Sequence, residues 1–588
     1  MTHNTVHART SGGAISALIV RSLILCALTL GLVACGGSDE PVAAATEPTP
    51  ISLNMEKTAG YTHTGGLNSA EISAYDPFSG RLFVINGALA SVDVLALSNT
   101  GTGASATLSM SLIGTLTSAQ IGSGLGGINS IAVHNGIVAL AIEAASKTNA
   151  GLVAFVRASD LSVIGTRTVG ALPDMLTFTP DGRYLLVANE GEPTSYGQAD
   201  SVDPEGSISV IEVSGLMPTA SSLQLTVTSA GFTSFNAQAA TLRTQGVRLP
   251  GIGTTTVAQD IEPEYISVSE DSRTAWITLQ ENNAVAVLDI ASKTITQIRA
   301  LGLKDHSLTG NGLDVSNEDG GTNTNSGTPT IKIANYPVKG MYMPDGIASF
   351  RIGTRTYLAT ANEGDAREYV GVTTVGATTT VSRDDPRVRE FCSGGFDSSV
   401  YGSLTATIGL DSNLGRLRVD AFAGANRTGK NAMGQCNELV AFGARSLSIW
   451  DAANVSLVWD SGDQFEQRTS LLHPTLTFNA SNDNSTLDDR SSAKGPEPEG
   501  VITAKFGSKT FAFVGLERVG GVMVYDVSNP AAPIYITYLN TRTGATSDRG
   551  PEGLLLIKAA QSPNGKPLLI VSNEISGTTA VFQINLLY

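Results

Sequence analysis

The sequence predicts an all-β fold, a single seven-bladed β-propeller with long loop insertions, and three observations predict it. Three strand-like features recur in fixed order seven times along residues 53–588. No helical periodicity interrupts them. The composition, with 63 Gly, 15% charged and 41% hydrophobic residues in a chain of 588, suits many tight turns and is too apolar for disorder. Two stacked sandwich domains are the competing arrangement. The formal charge of −16, from 37 Lys+Arg against 53 Asp+Glu, argues against a nucleic-acid partner.

The first element is a leader. Residues 1–34 carry Arg9 and Arg21, no acid, and an apolar run from Leu23 to Ala34, which is a secretory signal pattern and too short to span a bilayer as a helix. The run ends Leu32-Val33-Ala34-Cys35-Gly36, similar to the bacterial lipoprotein box, so Cys35 is expected to carry the lipid; a plain signal peptide cut nearby is the alternative. Processing takes the balance to −18, since two Arg and no acid leave. The expected address is the outer membrane or cell surface, or the periplasm, with the membrane reached through the lipid on Cys35. Residues 35–52, rich in Gly, Ala, Thr and Pro, read as a tether. After processing, Cys392 and Cys436 are the remaining cysteines besides Cys35, and an oxidising compartment pairs them; two free buried thiols are the alternative.

The repeats follow. An acid precedes an alternating apolar strand at Glu71, Asp174, Glu264, Asp345, Glu499 and Glu552, with Asn129 in the equivalent place. A β-rich run then closes on an amide or acid at Asn86, Glu143, Glu190, Glu281, Glu363, Glu517 and Glu574. A third, period-two strand completes each unit, as in Ser207 to Val213 or Gly521 to Val527. About 77 residues per unit exceeds the roughly 40–45 of WD-type repeats, so insertions are expected near 216–258, 303–340 and 370–444, the last between the second and third strands of blade five. Residues 53–62 are expected to add an outer strand to the last blade and close the ring.

Several segments then carry a resemblance: Asn189-Glu190-Gly191-Glu192-Pro193, Asp260-Ile261-Glu262-Pro263-Glu264-Tyr265, Ala361-Asn362-Glu363-Gly364-Asp365-Ala366-Arg367, Lys494-Gly495-Pro496-Glu497-Pro498-Glu499-Gly500 and Gly515-Leu516-Glu517-Arg518. Over roughly residues 55–586 the chain resembles the choice-of-anchor I domain family. The resemblance implies an exported protein that reaches the surface through its own kind of anchor. Some relatives bear alkaline phosphatase or phytase-like labels, but a shared fold does not fix chemistry.

Antiparallel neighbours bring the start of one strand and the end of the next to one face, so both acid series meet at a channel mouth. Twelve carboxylates there resist joint ionisation. Either internal cations (Lys304, Arg367, Arg445, Lys494, Arg518 and Arg549) lock them in pairs, or some hold a hard divalent cation, for which oxygen ligands suit Ca²⁺ better than Zn²⁺. The candidate metal ligands are Asp174, Glu190, Glu264, Glu281, Asp345, Glu363, Glu499, Glu517, Glu552 and Glu574. No organic cofactor is expected. Lys304 and His306, with Arg367 and Arg518, are candidates for holding an anion, as a metal-dependent phosphoric ester hydrolase would need. Serine-hydrolase, zinc-protease and P-loop motifs are missing from the sequence. Asp314-Val315-Ser316-Asn317-Glu318-Asp319-Gly320 is oxygen-rich but lacks the EF-hand spacing and reads as a turn. A binding scaffold with an unidentified extracellular or periplasmic ligand ranks before the phosphoesterase, because no nucleophile is recognisable.

Overall fold

The computed structural model describes residues 47–588, except 101–106, 197–199, 251–254, 321–327, 368–370, 376–377, 423–427, 474–476, 483–485 and 545–546, and gives backbone alone at 371–375 and 378–382. The leader and Cys35 lie outside the described residues. Thr49–Tyr588 form one compact unit.

Seven four-stranded antiparallel sheets follow one another along the chain. The first is Ser73–Asp76, Arg81–Asn86, Ser91–Thr100 and Thr107–Thr117; the second runs from Leu125–His134 to Val163–Ala171, the third from Pro173–Phe178 to Thr226–Gly231, and the fourth from Ile266–Val268 to Thr294–Ala300. The fifth joins Ile347–Ile352 and Arg355–Asn362 to Ser446–Asp451 and Ser456–Asp460 across the long insertion, and the sixth runs from Pro498–Phe506 to Ile534–Leu539. In the last, Pro551–Ile557, Leu568–Asn573 and Thr578–Leu587 take their fourth strand from the other end of the chain, Ser52–Thr62, which pairs antiparallel with Thr578–Leu587. The first strands of consecutive sheets touch, and Pro551–Ile557 returns to touch Ser73–Asp76. The arrangement is all-β and propeller-like.

Apolar layers fill the spaces between consecutive sheets. Leu140 and Val94 pack between the first and second sheets, Trp276 and Trp450 between the fourth and fifth, and Leu82 and Ile570 between the seventh and the first. Second strands therefore have apolar neighbours on both faces. Tyr184–Asn189 and Leu568–Asn573 accordingly read as nearly continuous apolar runs rather than alternating ones. Fourth strands such as Thr226–Gly231 are mostly exposed and carry little pattern. The expected insertion at 216–258 is corrected in part by that strand: the outer edge of the third sheet occupies its middle, and short helical turns begin at Thr233.

Two insertions build a core of their own, with Val315 and Tyr336 from one and Phe391, Leu417 and Leu439 from the other. Cys392 and Cys436 are bonded inside it, with Cα atoms 5.5 Å apart. The bond closes a loop of sequence separation 44, which constrains the unfolded chain by about 4 kcal/mol in the chain-entropy model. Cys392→Ser with Cys436→Ser is expected to loosen this satellite core before the sheets. Limited proteolysis should then cut within 388–440 while leaving the remainder intact; unchanged resistance there would count against a stabilising role.

Candidate functional site

The site is built on five Pro–acid dipeptides: Pro173-Asp174, Pro263-Glu264, Pro344-Asp345, Pro498-Glu499 and Pro551-Glu552. Each stands at or just before the first strand of a sheet. In three of them the ladder slips by one residue: Pro173 faces Asn189 while Leu176 faces Val187, and the same bulge separates Pro498 from Val501 and Pro551 from Leu554. Proline has no amide hydrogen to offer a ladder, so a bulge tolerates it, and the bulge re-aims the acid that follows. The Gly after three of these acids permits close approach. A Cβ on Gly346, Gly500 or Gly553 would lie 2.4 Å from the backbone oxygen of Glu499, Glu552 or Glu71 in the next sheet.

The result is a throat, a cavity of about 330 Å³ walled by Asp174, Asp345, Glu499 and Glu552 together with Asn129 and Tyr265, with no Lys or Arg among its described lining residues. These acids are surrounded by protein yet only half-buried by exposure, because they face the space of the cavity. Burial pushes the Asp174 carboxyl up to about 6. Burial and then mutual repulsion push Glu264, Asp345, Glu499 and Glu552 well above the usual carboxylate range. Asp345 and Glu264 hydrogen-bond each other, which requires a shared proton. One oxygen each of Glu264, Glu499 and Glu552 is buried without a hydrogen-bond partner. Glu71, at the start of the first sheet, is pushed up to about 8 by burial, Glu574 and Asp174; Glu190 and Glu574 are raised too, chiefly by burial.

Asp345 and Glu499 also wall a second cavity of about 550 Å³, the mouth, and here the acids meet cations. Lys494 Nζ lies 2.8 Å from Glu363, 3.2 Å from Asp365 and 3.2 Å from Glu497. Arg490 pairs with Glu497 at 2.7 Å, and Arg518 pairs with Glu497 at 3.0 Å and Glu517 at 3.1 Å. Gln280 donates to Glu363 at 2.9 Å and Asn482 to Glu517 at 2.6 Å. Burial alone would raise Glu497, but Lys494, Arg490 and Arg518 hold it well below the usual range. Oxygens of Glu363, Glu497 and Glu517 lie within 4.8 Å of one another. Three cations pair with these same carboxylates, so the triad is part of an ion-pair lattice. On the other side, Arg367 pairs with Asp260 and, at 3.0 Å, with Glu262. Glu281, buried nearby, is raised to about 6 by its burial, with Arg367 opposing the rise.

The anion clamp expected at Lys304 and His306 is corrected. Lys304 is buried, and its ammonium is filled by Asp460 at 2.9 Å, Ala444 O at 3.0 Å and Gly462 O at 2.7 Å. His306 is buried as well, with Nδ1 2.7 Å from Asn311 O, and burial next to Lys304 lowers it to about 3. Neither lines the channel cavities. Arg518 lines the mouth, whereas Arg367 lines neither cavity, and both are committed to carboxylates. Arg445 sits apart, bonded to Glu466 at 2.6 Å, and Arg549 donates to Asn482 O at 2.7 Å. Glu143 accepts from Gly127 N at 2.9 Å. Sequence reasoning passed over Glu262, Glu497 and Arg490. Their signal was the spacing, since Glu262 and Glu497 stand two residues before Glu264 and Glu499.

Among the described residues no helix is long and apolar enough to cross a membrane. The chain is 28% identical over 192 residues to Gigasin-3a of Magallana gigas, covering 30% of this chain and 66% of that protein. It is 26% identical over 418 residues to the mesenchyme-specific cell surface glycoprotein of Strongylocentrotus purpuratus, covering 61% of this chain and 49% of that one. The chain thus spans about two thirds and about half the length of these curated relatives. Among solved structures, Kuenenia stuttgartiensis hydrazine synthase matches with 12% identity and a TM-score of 0.40, over 90% of this chain and 98% of that one. The WD40 domain of Toxoplasma gondii coronin matches with 7% identity and a TM-score of 0.40, over 93% and 90%. At these scores the architecture rests on the strand order above. Residues 71–530 match the choice-of-anchor I domain, and the chain belongs to that family.

Proposed function

We propose that this is an exported seven-bladed β-propeller, lipid-anchored through Cys35 in the cell envelope, acting as a binding scaffold whose acidic channel holds Ca²⁺. The cell-surface name of one relative and the leader sequence support the address. The observation that carries the cation is the throat: carboxylates from separate sheets face one cavity with no Lys or Arg among its described lining residues, and buried oxygens of Glu264, Glu499 and Glu552 lack partners. Such a donor set is all oxygen, which suits a hard cation and not zinc. When bound, the cation would supply the positive charge that these carboxyls otherwise obtain by keeping protons. The mouth lattice holds the blades at fixed separation around it, and the long insertions offer surface for an extracellular or periplasmic ligand. The phosphoesterase reading asks for cations free to hold phosphoryl oxygens, and Lys494, Arg490 and Arg518 are already engaged.

The test is a thermal melt after chelator treatment, with increasing free Ca²⁺, on wild type, Glu499→Gln and Glu552→Gln. Metal that binds only the folded state stabilises by about 2.7 kcal/mol at a hundredfold excess over Kd. Wild type should gain with concentration and both variants should gain less. A wild-type melt indifferent to Ca²⁺ would overturn the cation reading.

A further inference from the structure

We propose a second cation site, distinct from the throat, in which Asp314 and Asp319 of one insertion and Asn479 and Asp488 downstream hold Ca²⁺. The run Asp314–Gly320 reads alone as a turn, but the fold brings acceptors to it from a distant part of the chain. Asp314 is fully buried and its amide donates to Glu466 Oε2 at 2.6 Å. Arg445 ties the two loops together, donating to Asp314 O at 2.7 Å and Ser491 O at 2.8 Å. Ser491 in turn donates to Asp488 Oδ1 and accepts from Asn479 Nδ2 at 2.8 Å.

The remaining oxygens point to an absent ligand. Asp488 and Asn479 are both 0% exposed, yet Asp488 Oδ2 and Asn479 Oδ1 have no hydrogen-bond partner, and neither does the buried Oδ2 of Asp319. Unpaired buried acceptors are costly. Positive charge is committed elsewhere: Arg445 pairs with Glu466, and Lys332 Nζ turns to Ser412 O at 3.3 Å. Asn317 Nδ2 donates to Asp489 Oδ1 at 3.2 Å, so the two loops also meet beside Asp314 and Asp488. Among the described residues only Glu363, Glu497 and Glu517 bring three carboxylate oxygens within 4.8 Å of each other. An ion here therefore completes its shell with the amide oxygen and water, the mixed and adaptable coordination that Ca²⁺ accepts. Its role would be to pin the insertion to the loop that carries Arg490 and Lys494, and so to the mouth.

The test uses the mature protein, freed of metal and titrated with Ca²⁺ and with Tb³⁺. Tyr336 packs in one cluster with Leu313 and Val315, the residues flanking Asp314, so its ring lies beside the site and should sensitise Tb³⁺ emission. Asp488→Asn should lose one Ca²⁺ equivalent and the Tyr336-dependent emission. Tyr336→Phe should lose the emission alone, and Glu499→Gln should keep it, which separates this site from the throat. A full Ca²⁺ complement in Asp488→Asn would overturn the proposal by showing a carboxyl that merely keeps its proton. If Asp488→Asn does not fold, emission identical in wild type and Tyr336→Phe would overturn it.

Discussion

Glu497→Ala is expected to lower stability by about 3–5 kcal/mol, the loss typical when one partner leaves a buried ion pair. Glu497 is 0% exposed and is the common partner of Lys494, Arg490 and Arg518. Truncating it leaves three cations in a protein wall with too few anions. Arg490 loses its ion pair outright, Arg518 keeps Glu517, and Lys494 keeps Glu363 and Asp365. Glu363→Gln should cost less, because Lys494 retains two carboxylates and Gln280 retains an amide oxygen to bond. Both losses should be the same in Ca²⁺ and in chelator, as expected of acids that pair with Lys494, Arg490 and Arg518. Chemical denaturation of wild type and the two variants checks the order; a Glu497→Ala protein within 1 kcal/mol of wild type would mean that the lattice is solvated rather than buried, as exposed pairs are.

The division between lattice and throat was half legible in the sequence. Apolar runs closing on an amide or acid exposed seven units because second strands are packed on both faces, and residues 53–62 were expected where Ser52–Thr62 closes the last sheet. Fourth strands such as Thr226–Gly231 escaped notice because exposed edges need no apolar pattern. Three of the Pro–acid dipeptides are bulges in the folded chain that aim Asp174, Glu499 and Glu552 inward. Which acids are paired was not legible at all. Lys304 lies beside His306 in sequence, but its partner Asp460 comes from a strand far downstream, and charge pairing depends on that distance in space. The same holds for Asp314, whose amide finds Glu466 on a helix far downstream.

The throat should make the metal-free protein lose stability as pH rises from about 6.5 to about 8.5, against the usual behaviour of proteins stabilised by ionised carboxylates. A carboxyl whose folded value is raised holds its proton in the native state after the unfolded chain has released it. Its contribution is complete below the unfolded value near about 4, and it is lost as pH climbs through the folded value. Asp174 reaches about 6, Glu71 and Glu262 about 8, and Glu264, Asp345, Glu499 and Glu552 are raised well above their ordinary value, so the loss opens above the unfolded value and runs up to these folded values. The histidines act in the opposite sense: His134, His306 and His473 are lowered, so their contribution fades as pH falls below about 6.5, outside this range. Glu497, held low, loses its contribution only in strong acid. Each extra proton carried by the native state corresponds to about 1.4 kcal/mol per pH unit. Ca²⁺ replaces those protons, so saturating Ca²⁺ should flatten the profile, and binding at pH 7 should release protons into a weakly buffered solution. Glu552→Gln, which removes one titrating group without removing its volume, should make the metal-free slope shallower by up to one proton. A metal-free stability that rises across this range in wild type, with no proton release on adding Ca²⁺, would show that the throat carboxyls are ionised without a cation.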